Sequence, residues 1–362
     1  MIKILQLLPS DSPGVQQIAE SIEKSFPGGD FKVISAYLNP TSTPSFSPTT
    51  KFFNFSKKET QGLRLKALWE IFKYCRQEQF DVIITHRFKP LYLMLIINRF
   101  LNVPICISVI HGFGDFSRHY RRLILKLLGA KSWQFVAVSG AVANYLSRLS
   151  SNKVTAINNS INVATITRSL KTKQQSRSII GIDKHAFTFG TIGRLIPLKG
   201  HIHLIKAFET VLQIQPNCHL VIIGEGRSRT ELENYIFANN LQKNITLAGH
   251  INNAADYIKA FDVFVLPSMK EGFGMVLLEA MAAKLPIIAS HTGGIPYVLG
   301  ELGELVAPNN YPHSLSQKMI EQAQLTSYER EHIGNALHKR LLKNFDEPCY
   351  QKKWLELITR RA

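Results

Sequence analysis

Short apolar runs alternate with helix-length amphipathic stretches along this chain, and the alternation occurs twice. In the first half, residues 2–8, 31–38, 81–86, 103–110, 135–139 and 154–157 are runs of four to eight mostly apolar residues. In the second half, residues 187–192, 219–223, 244–248, 261–266 and 286–290 repeat the pattern. Runs of this length read as buried strands, and the stretches between them, such as 15–26, 63–76, 141–149 and 200–213, carry the spacing of helices. Strands alternating with helices predict parallel sheets covered on both faces. Between the two series, residues 165–177 are polar and basic with few apolar anchors, and read as a linker. The expectation is an α/β protein of two facing Rossmann-like domains with a ligand cleft between them, the first covering 1–165 and the second 166–340. Residues 39–60, rich in Pro, Ser, Thr and Lys, read as a loop.

In such sheets ligands bind beyond the carboxyl ends of the strands, so the chemistry is sought in the loops there. The loop after the 261–266 run holds Glu271, Gly272, Phe273 and Gly274, and a helix begins near Met275 and carries Glu279. The free N–H groups of a first helical turn favour an anion. Two carboxylates would repel a phosphate placed there, so each needs another task, Glu271 at a reacting sugar and Glu279 at hydroxyls such as those of a ribose. By spacing alone, a solvated glutamate at each end of an ordinary strand-loop-helix fits as well. Elsewhere in this half, Arg194 and Lys199 follow one strand among glycines. Gly224, Glu225 and Gly226 follow the next, but Arg229 stands where a dinucleotide fingerprint needs a third glycine. His250 and Ile251 lie on a loop able to meet a nucleotide base.

The first half has matching strand-end candidates. Gly14 closes the loop after the first strand, His86 and Arg87 end another, and His111 precedes Gly112-Phe113-Gly114. A titratable ring followed by glycines can hydrogen-bond a sugar hydroxyl while the substrate comes close.

Glu271-Gly272-Phe273-Gly274 followed by Leu277-Leu278-Glu279-Ala280-Met281 resembles the Glu, seven residues, Glu signature of the retaining nucleotide-sugar glycosyltransferases of family 4. Gly193-Arg194-Leu195 with Lys199-Gly200, and Gly224-Glu225-Gly226, are similar to that family's further strand-end motifs, in the same order. The resemblance implies the GT-B fold, with residues 341–362 closing as a helix that crosses back to the first domain. It implies transfer of a hexosyl group from a nucleotide diphosphate sugar, UDP-linked, with retention. His111 and Glu271 become the catalytic pair. Gly14, Arg194, Lys199, Gly224, His250, Ile251, Gly272, Phe273, Gly274, Met275 and Glu279 become donor contacts, and His86, Arg87 and Arg118 acceptor-side candidates. The chain departs from the family at Pro13 and Ser160, where glycines are usual, and at Tyr297, where Glu is common.

The formal net charge is +17, of which +11 falls in residues 1–165, away from the sugar-nucleotide signature. Such a surface seeks anions. The basic helix at 63–76 fits either packing on the sheet or docking on a membrane. The run from Arg118 to Lys126, with Lys131, fits either a solvated face or anionic lipid. The apolar stretch 91–110 is interrupted by Asn98, Arg99, Asn102 and Pro104 and falls short of a membrane span. The four cysteines have no short pairing, so neither a zinc site nor a disulfide framework is expected. No metal or other cofactor is expected, and no nucleic-acid motif is present. The expected partners are a nucleotide-sugar donor, a saccharide or glycolipid acceptor of cell-surface glycan assembly such as lipopolysaccharide or capsule, and an anionic membrane surface. The expected location is cytoplasmic, peripheral on the inner face of the membrane. The alternatives are a nucleotide-sugar epimerase of the same architecture and a catalytically silent anion-binding scaffold.

Overall fold

The computed structural model describes residues 1–10, 13–39, 50–56, 58–60, 64–128, 133–308 and 311–360. The chain forms two compact units, 1–159 with 347–362, and 160–346.

The first unit holds strands β1 (Ile2–Leu8), β2 (Phe31–Tyr37), β3 (Thr50–Phe52), β4 (Val82–His86), β5 (Ile105–Ile110), β6 (Trp133–Ala137) and β7 (Val154–Ala156). They lie in the order β3-β2-β1-β4-β5-β6-β7, every neighbouring pair parallel. The central strands are buried on both faces by helices α1 (Pro13–Glu23), α2 (Leu65–Glu78), α3 (Phe88–Leu101), α4 (His119–Leu128) and α5 (Gly140–Ser147). Residues 50–52, expected in a loop, form the edge strand instead. Phe52 stacks on Tyr37 at 5.6 Å, which anchors that edge. Residues 40–49 of the expected loop, and Lys131 of the basic run, lie outside the described residues.

The second unit opens with α6 (Val163–Ser169) and α7 (Lys173–Ile180). Its strands are β8 (Phe187–Ile192), β9 (Cys218–Ile223), β10 (Ile245–Gly249), β11 (Val263–Leu266), β12 (Ile287–Ser290) and β13 (Glu304–Val306). Their order is β10-β9-β8-β11-β12-β13, again all parallel. Helices α8 (His201–Ile214), α9 (Arg229–Ala238), α10 (Met275–Ala282), α11 (Ile295–Leu299), α12 (His313–Gln324) and α13 (Ser327–Asn344) surround the sheet. The last helix, α14 (Glu347–Thr359), belongs to the first unit, where it packs against α1 and buries Trp354 completely.

The linker expected at 165–177 is corrected by the structure. Asn162 caps α6 by accepting from the Thr165 N–H, and Thr172 forms a reciprocal capping box with Gln175 at the start of α7. Arg177, a surface cation in the linker reading, is 3% exposed. It donates to the carbonyls of Ala260 and Lys184 and, at 2.8 Å, to the Asp262 carboxylate. A buried arginine that satisfies so many acceptors ties the segment to the second unit, so the unit begins at Ser160 rather than residue 166. The chain returns to the first unit at Glu347 rather than residue 341. Among the described residues, no helix is long and apolar enough to cross a membrane.

Candidate functional site

In the second sheet the strand order reverses between β8 and β11, so the loops after these two neighbours diverge and leave a crevice. Lys199 ends a short 3-10 turn in the β8 loop, and its ammonium donates to the Glu271 carboxylate of the β11 loop at 2.6 Å. The Ser268 hydroxyl also donates to Glu271, at 3.3 Å. The loops approach so closely that residue 200 must be glycine: its φ is +70°, and a Cβ there would sit 2.0 Å from the Pro267 carbonyl oxygen. The β12 loop braces the far side. Gly294 donates to the Glu271 carbonyl at 3.0 Å, and the Thr292 hydroxyl donates to the Met269 carbonyl. Ser290 donates to the Ser268 carbonyl at 2.5 Å. Glu271 therefore stands on a backbone fixed from two sides.

From this loop α10 starts at Met275 with no acidic residue in its first turn and no side chain capping it. Its first N–H groups and the positive end of its dipole are available to an anion. Glu279 lies one turn on and is half-buried. Burial, followed by the Asp256 carboxylate, pushes its pKa up to about 7. Arg194 is exposed on the β8 loop, and its carbonyl lies 3.3 Å from Nε2 of His201, the first residue of α8. Burial lowers the His201 pKa to about 4, so its neutral ring steadies the arginine's backbone as an N–H donor. Two cations and a helix N-terminus on one side, with a carboxylate on the same helix, suit a ligand with an anionic group next to hydroxyls.

The first sheet reverses between β1 and β4. Gln6 of β1 donates its amide N–H to the Ala19 carbonyl at 3.0 Å, which turns Oε1 toward His86 Nε2, 3.1 Å away. That oxygen can only accept, so His86 carries its proton on Nε2. Its Nδ1 then accepts from Nε2 of His111 at 3.1 Å, leaving the His111 lone pair on Nδ1. Burial lowers the His86 pKa to about 3, and it holds that of His111 well below the ordinary imidazole range, helped by His86 and Arg87. Both rings are neutral near pH 7, and His111 is fixed as a hydrogen-bond acceptor at Nδ1. Its own backbone N–H donates to Asp115 at 3.2 Å; burial pushes that carboxyl up to about 6.

Two family profiles divide the chain between them: glycosyltransferase family 4 matches residues 28–165, and glycosyl transferases group 1 matches residues 172–340. The chain belongs to these glycosyltransferases. Among curated relatives, the UDP-Gal:alpha-D-GlcNAc-diphosphoundecaprenol alpha-1,3-galactosyltransferase of Escherichia coli is 26% identical over 80% of this chain and 79% of its own length. The capsular polysaccharide biosynthesis glycosyltransferase CapM of Staphylococcus aureus is 31% identical over 47% of this chain and 44% of that protein. Among solved structures, Anabaena HepE in complex with UDP superposes with a TM-score of 0.82 at 18% identity, covering 99% of this chain and 100% of HepE. The shared fold is GT-B, two Rossmann-like units with parallel sheets.

The remaining candidate residues of this glycosyltransferase fall into place unevenly. His86, expected as an acceptor contact, is wholly buried between Gln6 and His111, so it positions His111 and cannot touch a substrate. The Phe273 ring turns inward against Phe345 at 5.8 Å, leaving only its backbone on the loop. Arg118 is exposed but is not on the wall of the β1–β4 crevice, where Arg121 stands. Gly224 donates to the Gly249 carbonyl at 2.8 Å, while Glu225 pairs with Arg229. His250 is exposed and Ile251 half-buried beyond β10. Gly14 lies in the first turn of α1 with nothing within 4 Å of where a Cβ would be. The sequence reading missed Gln6, Asp115, Ser268 and His201. For His201, its place directly after Lys199-Gly200 was a usable signal. Gln6, a polar residue between the apolar pairs Ile4-Leu5 and Leu7-Leu8, was another.

Proposed function

We propose that this glycosyltransferase moves a hexosyl group from a nucleotide diphosphate sugar, UDP-linked, to a saccharide acceptor in cell-surface polysaccharide or glycolipid assembly, with retention at the anomeric carbon. The observation that carries the donor side is the second unit's switch-point cluster. There Lys199 and Glu271 meet across two loops, and Glu279 stands on the helix that follows Glu271. In this reading the diphosphate lies against the N-terminus of α10, Arg194 and Lys199, and the ribose hydroxyls donate to Glu279. Glu271 orients the donor sugar, and His111 is the first unit's candidate for a sugar hydroxyl. No metal is needed, because those cations and backbone N–H groups neutralise the leaving diphosphate. Retention follows if the acceptor attacks from the face the diphosphate leaves, its proton passing to a diphosphate oxygen. The names of the Escherichia coli and Staphylococcus aureus relatives support a glycan-building role. The excess positive charge of residues 1–165 supports attachment at an anionic membrane face.

The test is calorimetric binding and slow hydrolysis of a panel of nucleotide sugars with a chelator present, using the native chain, Glu279→Ala and Arg194→Ala. Selective binding and turnover of one UDP-sugar, lost in both variants and indifferent to the chelator, is the expected result. Binding that survives both changes sinks the donor-site assignment. Turnover that needs a divalent ion sinks metal independence, and release of free nucleotide diphosphate with an epimerised sugar favours the epimerase.

A further inference from the structure

Asp115 is the one acidic residue among the described residues that line the first unit's β1–β4 crevice, and the donor reading leaves it without a task. Its place follows from the short 3-10 turn Phe113–Phe116 that ends the β5 loop. Phe116 is wholly buried and packs edge-on against Phe88 at 5.9 Å and Phe135 at 6.3 Å, which anchors the turn on α3 and β6. The residue before that anchor is folded back toward the strand end it came from. Asp115 Oδ2 accepts the backbone N–H of His111 at 3.2 Å. The same carboxylate accepts the backbone N–H of Phe88, the first residue of α3. The loops that follow two neighbouring strands, β4 and β5, therefore end on one side chain.

The β4 loop needs such a hold. A single residue, Arg87, separates β4 from α3, and it has φ +65° with ψ 177°, a region that only glycine occupies comfortably. Its own N–H is spent on the Val109 carbonyl at 3.1 Å, and its side chain does not cap the helix. Local preference would relax this turn, so something outside it must fix it. Asp115 supplies that contact from the next loop, with its negative charge at the positive end of the α3 dipole. The abrupt turn leaves the Arg87 side chain exposed on the crevice wall, where His111 also stands.

The groups around Asp115 are mostly cations: Arg87 on the turn, Lys89 on α3, Arg64 before α2 and Arg121 on α4, with Tyr120 and the neutral His111. Arg121 closes the junction from the α4 side, donating to the Asp115 carbonyl at 3.2 Å and stacking over Phe88 at 4.9 Å. Burial outweighs the pull of Arg87, the His111 N–H, Arg121 and the Phe88 N–H, and the carboxyl is pushed up to about 6. The group is thus an anion at neutral pH in a place where ionising it adds nothing to the stability of the fold. A cap kept only for stability would not carry that cost beside a strained arginine and a histidine of fixed tautomer.

We propose that Asp115 is a positioning residue of this transferase: as an anion it pins the β4–α3 turn to the β5 loop and so sets where the His111 ring and the Arg87 guanidinium stand. This rests on the transferase reading and adds to it a residue that must be ionised.

Hydrogen exchange tests the pin with no substrate present. In Asp115→Ala the Phe88 and His111 amides should exchange at least about tenfold faster, while the amides of β1 and β2 keep their native rates. Asp115→Asn, which mimics the protonated group, should melt no lower than the native chain at about pH 8. Its kcat for hydrolysis of the UDP-sugar that the calorimetric panel selects should nevertheless fall at least about tenfold, with affinity for UDP unchanged. In the native chain kcat at saturating donor should fall by about tenfold per pH unit below the Asp115 value, and Asp115→Asn should lack that limb. Native exchange rates at both amides overturn the pin. A native kcat in Asp115→Asn, or an acid limb that persists in it, overturns the need for the anion. A variant that loses melting temperature and activity together reduces Asp115 to a helix cap and overturns its positioning role. Absent binding of every UDP-sugar by the native chain defeats the transferase reading beneath the proposal, and the exchange rates then still decide the pin.

Discussion

The Lys199 ammonium lies 2.6 Å from the Glu271 carboxylate, joining the β8 and β11 loops through side chains that are 21% and 15% exposed. Read from the sequence, these residues have separate tasks, one at the diphosphate and one at the sugar. In the structure each partly neutralises the other, and the pair holds the crevice at one width. In the proposed donor reading, an incoming diphosphate shares Lys199 and loosens its hold on Glu271, so that carboxylate is released only when donor is bound.

Breaking this pair from one side should hurt more than removing it. Lys199→Met leaves a largely buried carboxylate without its cation and should destabilise the fold by about 1–3 kcal/mol. Adding Glu271→Gln should recover part of that loss, a coupling of roughly 1 kcal/mol or more in a double-mutant cycle. Both single variants should still cut turnover at least about a hundredfold. Urea unfolding of the four proteins measures the coupling, and strict additivity would show that the contact does not hold the loops.

Glu279 predicts a pH dependence of definite sign. Its folded pKa of about 7 lies above the ordinary 4.5, so from pH 4.5 to 7 the native state holds more protons than the unfolded one. Stability from this group therefore falls as pH rises through that window, by up to about 3 kcal/mol above it. Glu279→Gln should stabilise the protein at about pH 8 and change little at about pH 4.5. Ribose hydroxyls prefer the ionised carboxylate, so nucleotide binding near pH 7 should release a proton. Calorimetry in buffers of different ionisation enthalpy detects it, and binding without proton release would remove Glu279 from the ribose.

The Gln6–His86–His111 chain makes a second, opposite pH prediction. Here the folded pKa values are lowered, to about 3 for His86, so stability is present above the unfolded value near 6.5 and is lost as pH falls toward the folded one. At about pH 5 the loss should be roughly 2 kcal/mol for His86, with His111 adding to it in the same direction. Gln6→Leu strands the His86 N–H in the core and should cost about 1–3 kcal/mol at neutral pH. It also frees the tautomer, so kcat should fall while affinity for the free nucleoside diphosphate, which the proposed reading assigns to the second unit, stays unchanged. A pH series of urea midpoints with paired kinetics checks both parts.

The sheets and their strand ends were legible because buried parallel strands are mostly apolar runs closed by Gly, Pro or a polar residue, as the runs at 219–223 and 261–266 show. The loops carrying Arg194, Lys199, Glu271 and Glu279 followed from those ends. What escaped was side-chain direction. Nothing in the sequence distinguishes His86 facing inward to Gln6 from His86 facing a ligand, or Phe273 packed on Phe345 from Phe273 lining a pocket. The false linker has a similar origin: low apolar content outweighed the Asn162 and Thr172 caps, and a buried Arg177 resembles a surface one until its acceptors are known. Arg64, Arg87 and Arg121 stand at three helix starts that only the topology brings to one crevice at the β1–β4 switch point.

Gly14 separates the resemblance from the local physics. A glycine early in a helix with φ outside the left-handed region and nothing within 4 Å has no structural need to be glycine, unlike Gly200 pressed on the Pro267 carbonyl. Gly200→Ala should therefore lower stability by about 2–4 kcal/mol and open the Lys199–Glu271 contact. Gly14→Ala should raise stability by roughly 0.5–1 kcal/mol through helix propensity alone. If a donor or acceptor phosphate comes up against that backbone, the added methyl group should cut affinity or turnover at least about tenfold in a protein that melts higher. A stabilised variant with native kinetics would mean that the open space at Gly14 is solvent, and the proposed phosphate contacts would then rest on the second unit's loops.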